Sequence, residues 1–458
     1  MEATQLDGTI VAISTPPGEG GIGIVRLSGP RAIALVRDAF ESSSGRNIET
    51  DPRPVFHGTI HANGTPLDEV LVHVMRAPHS YTREDVVEIN GHGGYVALNA
   101  ILDHMVGQGA RLAGPGEFTK RAFLNGRLDL VQAEAVIDRI RAHTLAGLRA
   151  ATAAASGALS TEIHRIHEAL VKAKAYIEAA VDFPDDDLPD LLTPELQADI
   201  ASTVERMRNL LATADAGKLY REGTSIAIVG RPNVGKSSLF NALLRESRSI
   251  VTADAGTTRD RIEEIISLDG IPLRLSDTAG LRQARDEAET LGVERTREAL
   301  RSSGVVLLVI DASEELKEED RAIVGEVGAL DVPVLLVNNK IDIAVERQPE
   351  LKGEFAARLE ISAKTGEGIP ELEQRLIELL RGDARFAPDQ ALITRLHQKD
   401  SLRRALEATE RLFGNFDASP EFLSMDLNEA IHALGEITGE TTPDDVLERI
   451  FSSFCIGK

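Results

Sequence analysis

The chain has 458 residues, too many for one ordinary domain, so two or three are expected. Its formal net charge of −23 excludes a broad basic surface for nucleic acid, though not a local basic patch. Hydrophobic residues make up 42%, aromatics only 4%, and Trp is absent, so the cores are aliphatic; the single cysteine, Cys455, excludes an internal disulfide and a cysteine-based zinc cluster. No apolar run approaches the roughly 20 residues that span a membrane. The first residues, Met1-Glu2-Ala3-Thr4-Gln5-Leu6-Asp7, carry acid and no base, unlike a secretory or transit peptide. The expectation is a soluble, cytoplasmic protein of a reducing compartment.

Residues 1–120 alternate short β-type runs with helical ones. Residues 9–14 and 22–28 read as strands, joined by the loop Thr15-Pro16-Pro17-Gly18-Glu19-Gly20-Gly21. Pro30 opens a helix over residues 31–40. Residues 69–75 and 85–90 read as further strands, and a helix follows over residues 95–105. This predicts a small α+β domain. Residues 18–23 match GxGxxG in form but lead into a strand. No helix N-terminus then faces a pyrophosphate, so a glycine-rich connection is preferred to a dinucleotide site. Gly91-His92-Gly93-Gly94 reads as a turn and helix start, with no His-x-x-x-His or His/carboxylate spacing around it.

From about residue 128 to 218 the texture is helical. Val131, Ala135, Ile137 and Ile140, then Ile163, Ile166, Leu170 and Ala173, recur at helical spacing. The acidic stretch Asp182-Phe183-Pro184-Asp185-Asp186-Asp187-Leu188-Pro189 reads as a solvated loop between two long helices. Then comes the stretch around which the chain is organised. The apolar run Ser225-Ile226-Ala227-Ile228-Val229 leads into Gly230-Arg231-Pro232-Asn233-Val234-Gly235-Lys236-Ser237, and Ser238-Leu239-Phe240-Asn241 continues as a helix. Strand, glycine loop and helix are the context of a P-loop. Glycines let backbone N–H groups turn towards phosphate oxygens, and the helix start adds a favourable dipole. Lys236 can reach the outer phosphates, and the Ser237 hydroxyl can ligate Mg²⁺. Residues 263–268 and 271–276 form a hairpin with a two-residue Asp269-Gly270 turn. Residues 305–310 and 332–338 are continuous apolar strands, as in a buried doubly wound sheet. From about residue 385 the helical texture returns, with amphipathic helices over 394–412 and 427–437. The expected order is therefore an α+β domain (1–120), a helical domain in two parts (121–218 and 381–458), and an α/β P-loop domain (219–380) inserted into it.

Four further signals identify the nucleotide. Asp277-Thr278-Ala279-Gly280 follows a strand; the Asp can hold the Mg²⁺ shell and the Gly N–H can meet a γ-phosphate. Asn339-Lys340-Ile341-Asp342 ends an apolar strand, and the Asp342 carboxylate can accept from the guanine N1–H and exocyclic amine, a donor pair adenine lacks. Ser362-Ala363-Lys364 closes the base pocket. Thr257-Thr258 lies between P-loop and Asp277, where a Thr can complete Mg²⁺ coordination when triphosphate is bound. In this order the signals define a Ras-like GTPase, with GTP contacted by Asn233, Val234, Gly235, Lys236, Ser237 and Ser238 and by the motifs above. Many GTPases place a water-orienting Gln after Asp-x-x-Gly. Here Leu281 stands there and cannot hydrogen-bond. The acid-rich run Asp286-Glu287-Ala288-Glu289 offers carboxylates for that task, or is a solvated loop face.

The chain resembles the tRNA-modification GTPases of the MnmE or TrmE family. The resemblance rests on Thr15-Pro16-Pro17-Gly18, on Glu84-Asp85-Val86-Val87-Glu88 with Gly91-His92-Gly93-Gly94, on Pro115-Gly116-Glu117-Phe118 and Arg121-Ala122-Phe123-Leu124-Asn125, on Asp182-Phe183-Pro184, on the GTPase motifs, and on the tail Phe454-Cys455-Ile456-Gly457-Lys458. It implies a folate-binding, dimerising N-terminal domain, a helical domain and an inserted G domain. It also implies a homodimer, a heterotetramer with the flavoprotein MnmG, and installation of an aminomethyl or carboxymethylaminomethyl group on C5 of the wobble uridine of tRNA. The one-carbon unit would come from 5-formyl- or methylene-tetrahydrofolate. By position, Arg26, Glu88, Arg127 and Lys458 match folate contacts, and Cys455 matches a tail cysteine used in modification; as a lone Cys it could equally be a small buried hydrophobe. The resemblance implies G-domain pairing on K⁺, with Asn233, Thr252, Asp254 and Thr257 as its ligands, Ser237 and Thr258 on Mg²⁺, and Glu289 as catalytic acid. Arg83 stands where Gly is usual and Glu19 where a basic residue is common. The rival reading is a regulatory switch that binds RNA or a ribosome without modification chemistry; a surplus N-terminal domain and tail argue against it.

Overall fold

A computed structural model describes residues 8–182, 193–246, 263–277, 300, 303–344, 351–382, 386–416 and 418–458. The chain forms two compact units. One comprises Met1–Ile137, Ile163–Leu191 and Glu407–Lys458, the other Asp138–Glu162 and Leu192–Leu406.

The first unit holds a seven-stranded sheet of β1 (Ile10–Ile13), β2 (Gly20–Ser28), β3 (Phe40–Ser42), β4 (Val55–Ala62), β5 (Thr65–Met75), β6 (Val86–Gly93) and β7 (Arg111–Leu112). Their order is β3-β4-β5-β6-β2-β1-β7, with β1 and β7 parallel and the other pairs antiparallel. Val70, Val72 and Val74 of β5 alternate inward, as a half-buried strand requires. They meet Val36 of the helix Ala32–Ala39 and Ile101 and Met105 of the helix Tyr95–Gly107 in one aliphatic core.

Local expectations change at four places. Residues 91–93 are the end of β6, not a turn, and Gly20 and Gly21 belong to β2. The glycines are there because the two backbones close in: Gly20 pairs with Gly93, and a Cβ on Gly93 would lie 2.5 Å from the Gly20 carbonyl oxygen. β4 was not read as a strand because Gly58 and two histidines interrupt its alternation; a Cβ on Gly58 would lie 2.1 Å from the Glu41 carbonyl oxygen. The helix Glu117–Leu124 is a further element beyond those expected. Behind it, Leu130, Ile137, Leu447, Phe451 and Phe454 form a second core, with the Phe123 and Phe451 rings 6.2 Å apart.

The second unit holds a six-stranded sheet of β8 (Thr224–Val229), β9 (Glu263–Leu268), β10 (Ile271–Asp277), β11 (Val305–Asp311), β12 (Val334–Asn339) and β13 (Ala357–Ile361), in the order β13-β12-β11-β8-β10-β9. β9 is the antiparallel edge; the other pairs are parallel. The unbroken apolar run of β11 follows from burial on both faces. Val305, Leu307 and Val309 meet Leu239 and Leu372 on one side, while Val306, Leu308 and Ile310 meet Val327 on the other. The β9–β10 turn has Asp269 at φ 47° and Gly270 at φ 83°, the double positive φ of the turn whose twist matches its strands. The helices Leu396–Gly414 and Pro420–Thr438 cover the two expected near the end; the second starts earlier, with Pro420 in its first turn.

Candidate functional site

β8 delivers the chain to the phosphate loop, and the helix Lys236–Glu246 leaves it. The loop turns through left-handed backbone at Asn233 (φ 66°) and Gly235 (φ 98°). A Cβ on Gly235 would lie 2.2 Å from Asn339 Nδ2, so only glycine admits that approach. The Lys236 ammonium folds back on its own loop, donating to the carbonyls of Gly230 (2.9 Å) and Arg231 (2.7 Å). A bound phosphate would exchange these for charge-assisted bonds to anionic oxygens. Ser237 and Ser238 stand exposed on the first turn of the helix, where N–H groups lack intrahelical acceptors. Among the described residues no group of three or more His, Cys, Asp or Glu is placed to hold a metal. A Mg²⁺ here would rest on the Ser237 hydroxyl and phosphate oxygens.

The residues expected to read the base lie at the C-terminal ends of β12 and β13. Asn339 is 2% exposed and bridges two loops: Nδ2 donates to the Val234 carbonyl (2.9 Å) and Oδ1 accepts from the Ala363 N–H (2.9 Å). One side chain thus fixes the phosphate loop against Ser362-Ala363-Lys364. Asp342 accepts from the fully buried Ser362 hydroxyl (2.8 Å), which itself accepts from the Thr365 N–H (3.2 Å). That bond aims the carboxylate and uses one of its several lone-pair positions, leaving capacity for two guanine donors. Lys340, at φ 70°, donates to the Asn233 carbonyl (2.7 Å) and to Asp311 (2.6 Å). Lys364 is exposed.

Asp277 ends β10 in parallel register with Ile228 of β8, so the chain delivers it beside the phosphate-loop strand. Its side chain lies outside the described residues. So do Thr252, Asp254, Thr257, Thr258, Thr278, Ala279, Gly280, Leu281, the acidic run Asp286-Glu287-Ala288-Glu289 and the stretch Phe183 to Pro189.

In the first unit the tail docks on the sheet. Ile456 forms an isolated antiparallel bridge with Pro115. The Gly116 N–H donates to the Cys455 carbonyl (3.3 Å) and the Phe118 N–H to the Lys458 carbonyl (3.2 Å). The Gly457 carbonyl accepts from Ser14 Oγ (3.2 Å) and from the Arg26 guanidinium (3.1 Å). Arg26 also pairs with Glu88 at 2.7 Å, its register partner across β2 and β6, and lies 5.6 Å from the Phe118 ring centre. Arg26, Glu88 and Lys458 are therefore brought together. Arg127 stands on an adjoining stack, 4.8 Å over the Tyr81 ring, whose hydroxyl meets Thr119 at 2.9 Å. The Cys455 side chain is exposed, not buried as a small hydrophobe would be.

The helix under the tail is held by ion pairs among charges of the quoted motifs, pairings that the sequence does not announce. Arg121, 2% exposed, reaches Glu84 (3.0 Å), Glu117 (3.1 Å) and the Gly8 carbonyl (3.0 Å). Burial pushes the Glu117 carboxyl up, but Arg111, the Gly114 N–H and Arg121 outweigh it and hold the group below the usual carboxylate range. A carboxylate depressed on folding adds stability that is present above its unfolded value of about 4.3 and fades as pH falls through the lower folded value. Glu117→Gln is expected to lower the Tm at pH 7, with the gap to the unsubstituted chain narrowing towards pH 3.5. Thermal denaturation across that range checks it; a gap constant with pH removes the ion pairs from the account.

Two neighbouring positions also differ from expectation. Arg83, where the resemblance puts Gly, adopts φ 60°, the region that favours glycine, and its guanidinium donates to the Asn125 carbonyl (2.9 Å). His92 does have a carboxylate: Asp68 of β5 accepts from its backbone N–H (2.7 Å) and holds its Nδ1 (2.7 Å), raising the imidazole pKa. The partner sits on the neighbouring strand, so no spacing in the sequence announces it.

Residues 9–127 match the family model described as "GTP-binding protein TrmE N-terminus", and residues 130–455 match "MnmE helical domain". The chain is 45% identical to the tRNA modification GTPase MnmE of Heliobacterium modesticaldum, across 98% of this chain and 99% of that one. It is 45% identical to that of Carboxydothermus hydrogenoformans, across 99% and 100%. The figure is 44% for that of Aquifex aeolicus, across 98% and 99%.

Proposed function

The chain belongs to the MnmE family of tRNA modification GTPases, and from that premise we propose a K⁺-activated GTPase that works with a flavoprotein, MnmG, on the wobble uridine of tRNA. The enzyme is a GTP hydrolase that takes part in tRNA modification. The observation that carries the nucleotide half is the Asn339 bridge, which joins a phosphate loop to a guanine-reading loop in one rigid frame. Ser237 and Thr258 would hold a Mg²⁺ with GTP. Asn233, Thr252, Asp254 and Thr257 would hold a K⁺ against the phosphate loop, where it would supply the positive charge that an arginine finger supplies elsewhere. The left-handed turn at Asn233, pinned by Lys340, supports that placement because it fixes the loop apex. Glu289 orients the water that Leu281 cannot.

The modification half rests on the docked tail. A tetrahydrofolate, 5-formyl or methylene, is read by Arg26, Glu88, Arg127 and Lys458, with Arg127 suited to its anionic tail. The exposed Cys455 thiol stands at the end of the same segment. The product is an aminomethyl or carboxymethylaminomethyl group at C5 of the uridine. The working assembly is a homodimer through the N-terminal domain, joined to MnmG as a heterotetramer, in the cytoplasm. Among the described residues no helix is long and apolar enough to cross a membrane. The domains run 1–120, 121–218 with 381–458, and 219–380.

The test is GTP hydrolysis in KCl against NaCl at equal ionic strength, for the unsubstituted chain and Glu289→Ala. The expected result is about tenfold faster turnover in KCl, and loss of about 10²-fold in the variant with GTP binding retained, the size of a positioned general base. Equal rates in both salts, with the variant unaffected, would leave the regulatory-switch reading in its place.

A further inference from the structure

The end of β11 and the acidic segment after it hold the phosphate loop at two points. At the start of the loop, Arg231, 6% exposed, reaches Glu314 at 2.7 Å and Asp320 at 3.3 Å. Asp320 is itself buried and also accepts from the Lys317 N–H (3.1 Å), so it is fixed to the first turn of the helix Glu318–Val327. At the apex, the contact runs through Lys340. Its ammonium spans the Asn233 carbonyl and the Asp311 carboxylate. Asp311 is the last residue of β11, 2% exposed, and accepts from the Ser313 N–H (3.0 Å) and Ser313 hydroxyl (2.6 Å) as well. Burial pushes this carboxyl up, but Lys340 and Ser313 outweigh it and hold it below the usual range.

We propose that Asp311 is a positioning residue of the nucleotide site, acting through Lys340 to hold the apex of the phosphate loop in its left-handed turn. The geometry gives the reason. Lys340 and Asn233 both adopt positive φ, a conformation that is strained for a residue such as Lys and persists only where surroundings impose it. The ammonium that joins them needs an anchor that does not move. Asp311 is that anchor: it ends a central strand, accepts from Ser313 as well, and acts on the nucleotide site only through Lys340. Neutralising Asp311 removes the ion pair and leaves one amide oxygen for both Lys340 and Ser313, so the apex loses restraint and guanine nucleotide leaves faster.

A double-mutant cycle on the full chain tests this, reading dissociation of N-methylanthraniloyl-GDP by fluorescence. Asp311→Asn, which keeps shape and removes charge, is expected to speed dissociation about tenfold, and Lys340→Met at least as much. The double variant is expected to match Lys340→Met alone, because Asp311 has no route to the loop once the ammonium is gone. Ser313→Ala, which removes only an orienting hydroxyl, is expected to speed dissociation about threefold with Lys340 present and not at all with Lys340→Met. Additive effects in the cycle, or unchanged dissociation in Asp311→Asn, overturn the proposal. If Asp311→Asn does not fold, Ser313→Ala decides by the same rule: no effect, or an effect independent of Lys340, overturns it.

Discussion

Asp342→Asn is expected to lower kcat/KM for GTP about 10³-fold and to raise it for XTP. Guanine offers N1–H and an exocyclic amine side by side, and the carboxylate accepts both. Losing one charge-assisted bond costs about 1.5–3 kcal/mol and leaving the second donor unsatisfied about 1–3 more, together about 10²- to 10⁴-fold. The amide of Asn accepts from one and turns an N–H against the other. Xanthine carries a carbonyl where guanine carries the amine, so the same amide pairs with it in full. The frame should survive the change. Ser362 Oγ can donate to the Asn carbonyl as it does to the Asp342 carboxylate, and it still accepts from the Thr365 N–H. Asn339 continues to tie Val234 to Ala363. Rates with GTP and XTP, measured on one preparation, separate a change of specificity from a damaged fold. Loss with both nucleotides, or GTP turnover close to that of the unsubstituted chain, removes Asp342 from base recognition.

What was legible in the sequence was whatever is encoded locally. The Asp269-Gly270 turn could be read because only such residues accept its two positive φ angles, and β11 because burial on both faces writes an unbroken apolar run. The P-loop and Asn339-Lys340-Ile341-Asp342 could be read because each spacing is set by the ligand rather than by the fold. What was not legible depends on partners far apart along the chain. His92 finds Asp68 at a separation of 24, Lys340 finds Asp311 at 29, and Arg121 finds Glu84 at 37. Each lone residue looks like an ordinary surface charge until the sheet register brings its partner beside it. β4 was lost for a related reason: Gly58 breaks the alternation, yet the neighbouring strand leaves no room there for a side chain. The tail motif lay between these cases. Its residues could be recognised, but the carbonyl of Gly457 as the point held by Ser14 and Arg26 could not.

Gly457→Ala is expected to leave GTP hydrolysis unchanged and to lower tRNA modification about 10³-fold. Gly457 sits at φ 90°, where an L-residue is strained, and a Cβ there would lie 2.6 Å from the Ile13 carbonyl oxygen and 2.9 Å from Ser14 Cα. Both are backbone, at and just past the end of β1, so neither can yield as a flexible side chain would. The tail must leave instead. With it go the bonds from Ser14 and Arg26 to the Gly457 carbonyl, and then the pairing of Ile456 with Pro115. Cys455 and Lys458 remain on the chain but lose their place. Fixed placement of reacting groups is worth factors of this size, because effective molarities of positioned groups far exceed anything a tethered but free segment supplies. Ser14→Ala removes one of the two side-chain anchors without a clash, and a loss of a few-fold is expected. Nucleoside mass spectrometry of tRNA from a reconstituted reaction reads modification, and phosphate release reads hydrolysis on the same samples. Full modification by Gly457→Ala would mean that the docked tail is not the working state. Equal loss of both activities would mean that the substitution had damaged the protein as a whole. Only the split, hydrolysis kept and modification lost, assigns the docked tail to the tRNA chemistry rather than to the GTP cycle.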